Sequence, residues 1–66
     1  MLSDKTQVMK FIENVFVDLP KEIIDAVYKQ LFDEDGNLMM PVEPMAIIRM
    51  VANEMKWNEK YKIKFK

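Results

Sequence analysis

The chain has 66 residues, half of them apolar, with ten basic and eleven acidic side chains, one glycine, and neither cysteine nor histidine. That inventory supports one small core and excludes thiol nucleophiles, disulfides, thiolate zinc sites and imidazole general bases; a lone glycine does not build a phosphate-cradling loop. The formal net charge of −1 gives no global attraction to nucleic acid or to an anionic membrane, so the expectation is a non-enzymatic, intracellular, cytoplasmic protein with no cofactor and no bound metal.

From Asp4 to Phe16, Val8, Phe11, Ile12, Val15 and Leu19 recur at the spacing of an amphipathic helix. Ser3 or Asp4 caps its start, and Asp4 with Gln7 has the spacing of a capping box. Leu19-Pro20 marks a boundary, because a residue before proline is pushed out of the α region. A second helix starts there, with Pro20 at its first position, Glu22 in the first turn, and Ile24, Val27, Tyr28 and Leu31 on one stripe. Asp25 and Lys29 are spaced as an i, i+4 ion pair.

Asp35, Gly36 and Asn37 break the helical pattern, and a loop containing an extended stretch at Leu38 to Met40 runs to Pro44. Pro44 opens a third helix ending near Trp57. On it Arg49, Asn53 and Lys56 share a narrow polar face, and Met45, Ile47, Ile48, Met50, Val51, Ala52 and Met55 fill a wide apolar arc, which makes it the helix expected to be most buried. The end, Lys60-Tyr61-Lys62-Ile63-Lys64-Phe65-Lys66, alternates charge with apolar side chain, the period of a half-buried strand. These elements predict a mainly α fold: one compact three-helix domain, residues 1–66, with helices at about 4–17, 20–34 and 44–57 and a small two-stranded β ribbon that includes the C-terminal strand 60–65, paired either with 38–40 or with the same tail of a second copy, α+β if the ribbon forms. No apolar run approaches the ~20 residues of a membrane span, and Asp4 and Lys5 interrupt the start where a secretory segment would lie, so no membrane association is expected.

Charge is unevenly spread along the chain. Residues 1–35 hold eight acids against four lysines, a balance of −4, whereas residues 36–66 hold three acids against six bases, a balance of +3. Asp33, Asp35 and Asn37 resemble the first, third and fifth ligands that open an EF-hand calcium loop. The resemblance covers six residues: in that register Leu38 stands at the glycine position and Pro44 at the closing glutamate, and shifting by two places Leu31 first and Val42 last. Neither register completes a site, and metal ligands are assigned to no residue. Asp33, Glu34 and Asp35 also lie where the second helix presents its negative end, an arrangement that calls for compensation, either screening by water and Lys29 or a basic patch on a partner.

Seven methionines, five of them between Met39 and Met55, resemble the adaptable surfaces of promiscuous binders, and three short helices cannot hide the whole arc of the third together with the chain's aromatics. The first expectation is therefore a small protein–protein interaction module, a microbial or viral regulator or inhibitor that docks on a partner protein and forms a homodimer or higher oligomer. Met50, Met55 and Trp57 are its candidate apolar anchors, and Asp33, Glu34 and Asp35 set orientation. The alternative is a nucleic-acid-binding protein that presents Lys56, Lys60, Lys62, Lys64 and Lys66 to phosphates; against it stand a single arginine and the absence of any glycine-flanked aromatic motif.

Overall fold

A computed structural model describes residues 1–56 and 64–66. It is mainly helical, with three helices in the order α1 (Lys5–Val15), α2 (Lys21–Leu31) and α3 (Pro44–Lys56). α1 and α2 are each a few residues shorter than their apolar periodicity predicts, for the same reason at both C-terminal ends, whereas α3 follows its expected span as far as the described residues reach. Phe16 and Phe32 adopt extended backbone immediately after α1 and α2, because each is drawn into pairing with a distant or returning segment.

Local sequence accounts for the helix starts. The Asp4 carboxylate accepts from the Gln7 amide at 2.9 Å, and the Gln7 side-chain oxygen accepts from the Ser3 amide at 2.7 Å. The expected capping box is thus present with its return arm one residue earlier than usual, on the residue before the N-cap. Pro20 occupies the N-cap of α2, not its first helical position; its carbonyl accepts from the Ile23 and Ile24 amides. Pro44 does open α3, where its missing N–H costs nothing and the Glu43 carbonyl accepts from Ala46 and Ile47.

The core is one cluster: Val8 and Ile12 of α1, Ile23, Val27 and Leu31 of α2, and Ile47, Val51 and Met55 of α3, closed by Phe16 and Val42 from the connections. On α2 the buried stripe is centred one residue earlier than the sequence reading placed it, with Ile23 inside and Ile24 half-buried. α3 contributes three core residues, as α2 does, and leaves Met45 and Ala52 of its apolar arc exposed. No side-chain nitrogen or oxygen among the described residues is buried without a partner.

Among the described residues, strand structure is confined to three isolated antiparallel bridges. Leu2 and Val42 exchange both backbone hydrogen bonds at 2.9 Å, which fastens the residues before α1 to those before α3. Phe32 pairs with Leu38 across the 33–37 turn, and Phe16 pairs with Phe65. The last is a non-hydrogen-bonded pair flanked by Val17 N–H to Lys64 and Lys66 N–H to Val15, the geometry that brings side chains closest, and the two rings meet at 5.4 Å. The expected ribbon of 38–40 with 60–65 therefore has no counterpart among the described residues: Leu38 and Phe65 are each bridged elsewhere, and residues 60–63 lie outside the described part. Among the described residues no helix is long and apolar enough to cross a membrane.

Candidate functional site

Two features of the surface stand out, an apolar cavity and the acidic turn beside it. α2 and α3 pack against each other, and the connection between them returns from the turn as a strap, Leu38 to Val42, that bends at Met39 and Met40 between its two bridged ends. Val42 is pulled into the core by its bridge to Leu2, and Met39 donates its amide to the Leu31 carbonyl at 2.9 Å. Between Leu31 and Val42 run Met39, Met40 and Pro41, all three exposed. They enclose, with Gln30, Leu31, Val42 and Met50, a cavity of about 190 Å³. Its floor is core (Leu31, Val42) and its rim is exposed methionine, Met39 at 55% and Met40 at 70%. Gln30 donates to Glu54 at 3.1 Å across the α2–α3 seam next to the opening.

The same strap begins at the acidic turn. The Asp33 carboxylate accepts from the amides of Asp35 and Asn37, at 3.0 and 2.9 Å, while Gly36 takes φ +81° and donates to the Asp33 carbonyl. Asp33 is thus a turn-forming side chain that folds the backbone back towards Leu38. The Lys5 ammonium sits 5.8 Å from the Phe32 ring centroid and 3.4 Å from where a Cβ on Gly36 would be, and Lys29, the expected screen, lines the same depression as Asp33. Asp25, its expected i, i+4 partner, instead pairs with Lys21 one turn earlier, at 3.9 Å on exposed side chains. Lys5, Asp25, Tyr28, Lys29, Phe32 and Asp33 line a wider, polar depression of about 420 Å³ on this side. Burial pushes the Tyr28 hydroxyl above its ordinary 10.0, and the carboxylates of Glu13 and Asp25 push in the same direction. Among the described residues no three carboxylates converge as metal ligands.

The sequence-expected anchors divide sharply. Met50 is half-buried and lines the cavity. Met55 is a correction: it is 6% exposed and packs in the core with Ile47 and Val51, because positions 47, 51 and 55 form the inward stripe of α3, so it offers nothing to a partner. Trp57 lies outside the described residues. Glu34 and Asp35 are exposed, as is Asp33. Of the lysines in the alternative reading, Lys56 and Lys64 are exposed; Lys66 donates from its ammonium to the Glu13 carbonyl at 2.7 Å, where a cation favourably meets the C-terminal end of α1. Lys60 and Lys62 lie outside the described residues. Sequence reading missed Met39, Met40 and Pro41 as a rim and Val42 as core. The available signal was a pair of adjacent methionines ahead of a proline, in a stretch without helical or alternating period.

The chain matches no protein-family model, and neither a curated protein nor a solved structure is similar to it.

Proposed function

We propose that this chain is a small, non-enzymatic interaction module that docks its methionine-rich surface on another protein, a second copy of itself included. The observation that carries the reading is the exposure of Met1, Met39, Met40 and Met45, at 74, 55, 70 and 57%, around a strap whose neighbours Leu2 and Val42 are paired to each other. Exposed large apolar side chains of this kind are the material of an interface, and methionine adapts its shape to what it meets. The orienting role of Asp33, Glu34 and Asp35 fits their place on the turn that opens the strap. Regulation or inhibition of the partner, and action in the cytoplasm of a microbe or its virus, are the extension of this reading that a small cysteine-free module suggests.

Size-exclusion chromatography with light scattering, recorded at 260 and 280 nm and at low and high salt on nuclease-untreated protein, tests it. The expected result is a species heavier than the 7.9 kDa chain with a protein-like absorbance ratio. Exchanging Met39 and Met40 for Ser reduces it to the free chain while the helical circular dichroism is unchanged. A nucleic-acid absorbance ratio that disappears at high salt transfers the function to the lysine-rich end instead.

A further inference from the structure

Methionine is the most peroxide-reactive side chain in this cysteine-free protein, and the fold sorts its seven methionines by access. Exposure falls from Met1 and Met40 through Met45, Met39 and Met9 to the half-buried Met50 and the core residue Met55. Of the three methionines that line the cavity at the strap, Met39 and Met40 are exposed and Met50 is not. The strap that carries them is fastened through its backbone: the Met39 amide donates to the Leu31 carbonyl, Leu38 is bridged to Phe32, and Val42 exchanges two hydrogen bonds with Leu2. None of these fastenings uses a methionine sulfur, so the two thioethers can change chemically without loosening the strap.

Resting on the interaction-module reading, we propose that Met39 and Met40 are a modification site: hydrogen peroxide converts them to methionine sulfoxide in the undocked chain, and the oxidised rim no longer docks. In each step a lone pair of the thioether sulfur attacks one peroxide oxygen, and the S–O bond forms as the O–O bond breaks. The departing hydroxide takes the proton of the transferred oxygen and leaves as water; the sulfur loses two electrons and the peroxide gains them. The product presents a polar hydrogen-bond acceptor where an apolar sulfur stood. Burying it against a surface that packed on the thioether strips its water without supplying a donor, a cost that weakens the contact by about tenfold. A docked rim is shielded, so the free chain is the form that oxidises, and sulfoxide reductases of the two epimer specificities restore it.

The test gives hydrogen peroxide to the dilute full chain, removes it, and reads the product by mass-spectrometric peptide mapping and by the light-scattering experiment. Met40 and Met39 each gain an oxygen well before Met50, and Met55 stays unmodified while the helical circular dichroism is unchanged. The heavier species then needs about tenfold more protein to form, and the two sulfoxide reductases together return it to the untreated midpoint. A variant carrying Met39→Leu and Met40→Leu keeps an apolar rim that peroxide does not alter, and it forms the heavier species before and after treatment alike. Loss of that species from the oxidised leucine variant moves the effect to other methionines and overturns the assignment to the strap, as does oxidation of Met50 ahead of Met39 and Met40. An unchanged midpoint with both rim methionines fully oxidised overturns the switch and leaves the module reading standing. If the untreated protein forms no heavier species at any concentration, the module reading fails and the switch with it.

Discussion

Gly36 is the residue whose identity the turn most depends on. Its φ of +81° lies in the region where a Cβ strains the backbone, whereas the nearest atom to that Cβ would be the mobile end of Lys5, so the cost of substitution resides in the backbone and not in a clash. Gly36→Ala is expected to lower stability by about 1–2 kcal/mol, and Gly36→Asn by less, because asparagine visits this region more readily; urea denaturation of the three proteins measures both. Tyr28 gives a pH signature at the same level. Its folded hydroxyl holds its proton more tightly than in the unfolded chain, through burial first and then through Glu13 and Asp25. The fold's advantage from this group is complete below the ordinary 10.0 and is lost as pH rises through the raised value. A phenolate absorbance titration of the native protein minus that of Tyr28→Phe is expected to show a midpoint above 10.0, and Tyr28→Phe is expected to flatten the alkaline decline in melting temperature.

Among the elements, α1 shows most directly how a start is written locally and an end is not. Its Asp4 cap and Gln7 return were legible from spacing alone, and Asp4→Ala is expected to cost about 1 kcal/mol, read as a fall in the denaturation midpoint with an unchanged slope. Its end was not legible. The apolar pattern runs on through Phe16 towards Leu19, yet the helix stops at Val15 because Phe16 is more useful as an extended residue buried against Phe65. The two aromatic partners differ in burial, 4% for Phe16 against 55% for Phe65. Phe16→Ala is expected to remove about 3–5 kcal/mol, most of what a domain of this size possesses, whereas Phe65→Ala forfeits mainly the ring pairing, about 1 kcal/mol. Thermal melts of the two variants distinguish them: one without a cooperative transition, one shifted by several degrees.

Three helices, their order and most of their inward residues were set by periodicity, capping residues and prolines, all of which act over fewer than about six residues of chain. Charge patterning also announced an acidic turn, and composition announced more apolar surface than a short chain can bury. What local pattern does not contain is pairing between segments far apart in sequence. The Leu2–Val42 and Phe16–Phe65 bridges are of that kind, and the first of them shapes the site. Val42 is drawn inward to meet Leu2 while the Met39 amide is tied to the Leu31 carbonyl, and the exposed Met39 and Met40 side chains between form the rim of the cavity. Because the stripe of α3 that faces α2 runs through Ile47, Val51 and Met55, Met55 is core while Met50, five residues earlier, lines the opening. A methionine carries no mark in sequence that separates the two fates; the distinction arises only when the helix is rotated against its neighbours, since burial is a property of the assembled surface and not of the residue.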